Sequence, residues 1–149
     1  MKKGIVFMET IHHFLSAHAR SKAEDVAFTY IEDNGEKAQI SFSDLHQNAQ
    51  SIAQSLRHQF SPGTRVVLLF PQGLEYIQAF LGCLYAGVVA VPLYPPQSKK
   101  HAGRVLAVIK DCEAHAVLTS SALKPLLAPD LKPMPVLGFD QLIASSANE

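Results

Sequence analysis

The chain has 149 residues with 13 Lys+Arg against 13 Asp+Glu, so its formal net charge is zero. That length suits one domain with a core of its own, and 48% hydrophobic residues exclude intrinsic disorder, which needs low hydrophobicity and high net charge. Zero net charge also removes the strongly basic footprint expected of a nucleic-acid binder.

At the N-terminus, Lys2 and Lys3 precede an apolar stretch at residues 4–8, and Ala17-His18-Ala19 resembles a signal cleavage site. Glu9, His12 and His13 interrupt the stretch, whereas a signal needs about 7–15 continuous apolar residues, so no signal peptide is expected. From residue 10 to about 19, Ile11, Phe14, Leu15 and His18 share one face at helical spacing. Val26–Ile31 and residues 37–42 read as strands. Asp33-Asn34-Gly35 lies between them, and Asn-Gly supplies the positive φ of a tight hairpin.

Ser41 can cap a helix, with Asp44 three residues on favouring its first turn. Leu45, Ala49, Ile52, Ala53, Leu56 and Phe60 then form one apolar stripe, ended by Ser61-Pro62-Gly63. Residues 65–70 are a continuous apolar strand of the kind buried on both faces in parallel sheets. Leu74–Ala86 reads as a helix that is apolar nearly all round, and residues 88–93 as a second buried strand. A helix over residues 102–113 follows, then a third strand at Ala116–Thr119. Ser120-Ser121 can cap a short helix reaching Leu127, before a short strand at 135–137 and a helix beginning near Phe139. Strands alternating with helices predict an α/β fold: an N-terminal hairpin and helices, then β-α units on a mostly parallel sheet.

Between Val66 and Ser98 the only charged residue is Glu75, and residues 76–98 could supply the roughly 20 residues of a membrane span. Ala86-Gly87 reads as a helix stop, Val88-Val89-Ala90-Val91 as a strand, and Pro92, Pro95 and Pro96 break any helix, so a buried core is expected instead. Cys83 and Cys112 are far apart and read as free thiols, favouring a reducing, cytoplasmic setting. The seven His carry no metal-ligand spacing, and no nucleophile elbow or Gly-rich phosphate loop occurs. Two features stand out. Leu93-Tyr94-Pro95-Pro96-Gln97 leaves the C-terminal end of a buried strand, where open parallel sheets bind ligands, although a rigid exit loop is the plainer reading. Arg104 stands near the start of the next helix and could contact an anion, although a solvated Arg is the plainer reading.

The run from Pro71-Gln72-Gly73 through Ala86-Gly87-Val88 to Leu93-Tyr94-Pro95-Pro96 resembles the adenylate-forming enzymes, and more closely the fatty acyl-AMP ligases. The resemblance extends outward in order. Ser41-Phe42-Ser43-Asp44-Leu45 resembles the family's Thr-Tyr-x-Glu-Leu helix start. Gly63-Thr64-Arg65-Val66 resembles its Gly-Asp-x-Val, and Arg104, Asp111, Ala114, Val117, Leu118 and Thr119 its Arg-helix-Asp-x-x-Ala-x-x-Val-Leu-Thr pattern. The resemblance implies activation of a fatty acid by ATP with Mg²⁺, giving acyl-AMP and pyrophosphate, with an acyl carrier protein as the usual acceptor. The family's phosphate loop, adenine-binding strand, hinge and catalytic Lys have no counterpart in the 149 residues. No catalytic, cofactor-binding or metal-binding residue is therefore carried over.

The expectation is an incomplete N-terminal subdomain. Residues 1–149 would form the first part of the large AMP-binding domain, without its remainder or the mobile C-terminal domain. Such a piece should be inactive alone, bind no cofactor itself, and expose apolar surface through which it could self-associate. Phe80, Tyr94 and Pro95 are candidates for that surface or for an acyl-pocket wall, and Arg104 for an anion contact. An acyl-CoA synthetase fragment and a non-catalytic binding module are the alternatives.

Overall fold

Ser41 is where strand becomes helix: its Oγ accepts from the Asp44 backbone N–H at 3.1 Å, satisfying one of the amides a helix start leaves free. The computed structural model describes residues 9–144, so the stretch weighed as a signal-peptide start at residues 2–8 lies outside the described residues. Element α1 (Ile11–Ser21) is followed by a hairpin of β1 (Val26–Ile31) and β2 (Lys37–Ser41) and then by α2 (Phe42–Gln59). The hairpin turns at Gly35, whose φ of 83° is left-handed, while the Glu36 backbone N–H donates to Asn34 Oδ1 at 2.8 Å. Phe42, expected to end the second strand, is instead the first residue of α2.

The rest is alternating: β3 (Arg65–Leu69), α3 (Leu74–Ala86), β4 (Val89–Leu93), α4 (Lys99–Asp111), β5 (Ala116–Thr119), α5 (Lys124–Leu131), β6 (Val136–Gly138) and α6 (Phe139–Ala144). These strands form one sheet in the order β4-β3-β5-β6, with every neighbouring pair parallel. Successive strand residues face opposite layers. Val66, Leu68 and Phe70 join Leu45, Ile52 and Leu56 of α2 and Ala79 and Cys83 of α3 in one core. Val67, Leu69 and Val117 join Val105 and Ile109 of α4 and Leu127 and Leu131 of α5 in the other. Two cores on one sheet make three layers, which is why β3 and β5 lack a polar face.

The uncharged stretch divides as α3, a left-handed Gly87 with φ of 74°, and β4, and no helix of the described residues is long and apolar enough to cross a membrane. Its one charge, Glu75, sits part-buried, and burial first and then the Asp140 charge push its carboxyl above the ordinary range. Cys83 and Cys112 are both free, and burial pushes the Cys83 thiol up to about 12.

Three expectations are corrected. Strand β4 is not buried on both faces: it pairs only with β3 among the described residues, and Val89 and Pro92 are exposed. An edge position also tolerates Pro92, which has no N–H to donate. Helix α4 starts at Lys99 rather than residue 102, because Ser98 Oγ caps the His101 backbone N–H at 3.3 Å. Helix α5 starts later and runs on to Leu131, because Ser120 caps a preceding turn at Leu123. Ser121 does not cap that turn and accepts instead from the Asp140 backbone N–H of α6 at 3.2 Å.

Candidate functional site

The two cores locate the site. Helix α3 lies in the first core and α4 and α5 in the second, so the crossovers change faces between α3 and α4. Strand β3 sits between β4 and β5, and its chain leaves toward β4 while that of β5 leaves toward β6. Adjacent strands whose connections part in this way open a crevice at their C-terminal ends, where doubly wound sheets hold ligands. A groove of about 810 Å³ occupies that place. Its floor is Phe70-Pro71-Gln72 from the exit of β3, and one wall is Leu93-Tyr94-Pro95-Pro96-Gln97 from the exit of β4. The other wall is His101, Arg104, Val105 and Val108 of α4, with Leu123 beyond β5 closing the end. A smaller pocket of about 310 Å³ shares Phe70, Leu93 and Tyr94 and adds Tyr76 and Pro92.

The lining is apolar apart from Gln72, Gln97, His101, Arg104 and the Tyr94 hydroxyl, and no carboxylate reaches it. The sequence explains this: no Asp or Glu occurs between Glu75 and Asp111. Lys99, Lys100 and Arg104 all fall in the first two turns of α4, where the helix dipole is already positive. Of these three only Arg104 lines the groove, which is therefore an apolar cleft with one cation on its wall, suited to a ligand with an apolar body and an anionic group. Among the described residues, no three His, Cys, Asp or Glu side chains come together to hold a metal ion.

Of the residues singled out in the sequence, Tyr94, Pro95 and Arg104 meet in the groove. Tyr94 is 82% exposed, leaving most of its ring available for contact. Phe80 is elsewhere: it packs at the edge of the first core, its ring 6.1 Å from that of Tyr76. Gln72 and His101, which carry no sequence expectation, also line the groove. His101 precedes Arg104 by three residues on a helix, a spacing that puts both on one face and could have found it.

The sequence profile of the AMP-binding enzyme family matches residues 15–146. The long-chain-fatty-acid–AMP ligase FadD26 of Mycobacterium marinum is 40% identical over 118 residues, covering 76% of this chain and 20% of that protein. FadD23 of Mycobacterium tuberculosis, a ligase of the same description, is 36% identical over 125 residues, 81% of this chain and 21% of that protein. The crystal structure of a fatty acyl-adenylate ligase from L. pneumophila, in complex with acyl adenylate and pyrophosphate, superposes with a TM-score of 0.86 at 28% identity. That superposition covers 99% of this chain and 26% of the ligase. The chain thus spans about a fifth to a quarter of the length of the relatives it matches.

Proposed function

The chain belongs to the AMP-binding enzyme family, and from that premise we propose that it is the N-terminal part of a ligase that activates a fatty acid with ATP. The observation that carries this reading is the superposition of nearly the whole chain on a ligase that holds acyl adenylate and pyrophosphate. In the proposed reaction a fatty-acid carboxylate oxygen attacks the α-phosphate of ATP. The bond to the leaving pyrophosphate breaks, and acyl-AMP forms. The thiol of an acyl carrier protein, rather than of CoA, then attacks the acyl carbonyl of acyl-AMP, the bond to the phosphate oxygen breaks, and AMP leaves as the thioester forms, in the cytoplasm.

The residues present do not fit ATP and Mg²⁺. A triphosphate cradle needs a Gly-rich run with its Lys, which the sequence lacks. Mg²⁺ needs carboxylate oxygens, and none lines the groove. On this reading nucleotide chemistry belongs to the rest of the large domain and to a mobile C-terminal domain, and residues 1–149 alone are inactive. What this part contributes is apolar surface and one cation: Tyr94 and Pro95 as wall for the acyl chain, and Arg104 as its anion contact. Phe80, outside the groove, serves the packing of the subdomain on its neighbour. Exposed Ile11, Phe14, Phe28 and Ile31 supply surface through which the isolated piece would self-associate.

The groove's part in this is testable by kinetics. In the complete ligase, Tyr94→Ser should raise the KM for a long-chain fatty acid by roughly three- to tenfold while changing kcat less than about twofold, because uniform binding is lost. The KM for ATP should not move. A Tyr94→Ser enzyme with unchanged fatty-acid KM would remove the groove from the acyl site. Product analysis with CoA and carrier protein offered together fixes the acceptor: acyl-CoA as the main product would contradict the carrier-protein reading.

A further inference from the structure

Away from the groove, a cluster of imidazoles sits where α1 crosses α2 and α3. The His12 ring stacks on the Tyr85 ring, with centroids 3.9 Å apart and planes 19° from parallel. The Tyr85 hydroxyl meets His46 Nδ1 at 2.9 Å, and those two rings are edge-on at 5.6 Å. His13 flanks His12 at 6.0 Å between centroids and is tied to Thr10, whose Oγ1 lies 3.0 Å from its Nδ1. Arg57 of α2 donates to the Tyr85 backbone carbonyl. Three elements thus meet through one tyrosine.

Beyond this junction, α1 is held by the His18 ring against Phe42 of α2, 5.3 Å between centroids, and by little buried surface. Leu15 is its one buried residue, while Ile11 and Phe14 are 60% and 52% exposed. The charged or titratable groups that act on the two imidazoles are His13 and Arg20 from α1, and Arg57 from α2, together with each other. From α3 comes Tyr85, whose hydroxyl burial pushes up to about 12, so it stays neutral. Burial first and then these cationic neighbours hold both His12 and His46 below the ordinary imidazole value.

We propose that this junction is a pH-sensitive latch, in which neutral His12 and His46 hold α1 against Tyr85 and their protonation releases it. The sign follows from linkage. A released helix takes the exposed His12 ring off Tyr85 and away from the cationic Arg57 and opens the part-buried His46 to water, so the released state binds more protons wherever the docked values are lower. The hold is complete above the free value of about 6.5 and weakens as pH falls below it.

Amide hydrogen exchange on the 149-residue chain, corrected for intrinsic exchange rates, tests this at pH 7.5 and pH 5.0. Protection of α1 should fall by roughly tenfold or more at the lower pH while the inner faces of α2 and α3 keep theirs. The double variant His12→Phe/His46→Gln, which keeps a ring on Tyr85 but cannot be charged, should show α1 protection that no longer depends on pH. Unchanged protection in the wild type overturns the proposal, and so does an equal pH-dependent loss in the double variant. If the double variant does not fold, NMR titration of the wild-type rings decides: His12 and His46 must titrate below the free value, and titration at or above it overturns the latch.

Discussion

Gly82→Ala is expected to lower stability by about 2 kcal/mol, although alanine in a helix interior normally gains up to about 1 kcal/mol over glycine. The reason is a close approach of α3 to α2. A Cβ on Gly82 of α3 would lie 2.4 Å from Cγ2 and 2.7 Å from Cβ of Ile52 on α2. Neither atom is the end of a flexible chain. Ile52 is fully buried, and a β-branched residue in a helix has essentially one χ1 rotamer, so it cannot swing aside. The helices must separate, and overpacking of this kind costs about 1–3 kcal/mol or more. Gly82→Leu should leave no folded chain. Gly103→Ala is the matched control. Gly103 lies in α4, and nothing comes within 4 Å of the Cβ it would gain. That change should stabilise by about 0.5–1 kcal/mol. Urea unfolding of the three variants reads both signs; a Gly82→Ala midpoint at or above wild type would refute the close packing of α2 on α3.

Leu68→Ala should cost about 3–4 kcal/mol, within the range for deleting a buried leucine without collapse of the cavity. Leu68 is fully buried in β3, the strand paired on both sides, by β4 and β5. Backbone on both flanks is fixed by those ladders, and α2 and α3 cover its face, so nothing nearby can move in to fill the void. A domain has about 5–15 kcal/mol in all, so this one change removes a large share of it. Leu126→Ala, at a position 69% exposed, should change stability by less than about 0.5 kcal/mol. Equal effects of the two substitutions would mean that β3 is not the centre of the sheet.

Features written in local sequence were the legible ones. Ser41 with Asp44, and Asn34-Gly35 between two apolar runs, each fix a backbone geometry within a few residues, and both occur as expected. The apolar run of β3 indicates burial on both faces, and it is buried so. Strand β4 reads almost the same, yet among the described residues it pairs on one side only, because strand order depends on which neighbours arrive and not on apolarity. The start of α4 is hard to read because Lys99, Lys100 and His101 oppose the dipole preference of a first turn and resemble a loop. That Tyr94, Pro95 and Arg104 line one groove is legible because they follow a strand and open the next helix. Gln72 joins them only through the parallel register of β3 and β4, and the contact of Gly82 with Ile52 spans two elements, so neither leaves a local signal.

The reading of this chain as part of a fatty-acid-activating ligase comes down to whether it can serve in one. Replacing the matching quarter of the L. pneumophila ligase with residues 1–149 gives a chimera whose folding is checked first by its unfolding transition. Fatty-acid-dependent exchange of labelled pyrophosphate into ATP is then measured for the chimera and for the 149-residue chain alone. The account predicts exchange from the chimera that stops when fatty acid is withheld, and none from the chain alone. A folded chimera without exchange, or exchange by the chain alone, would contradict it.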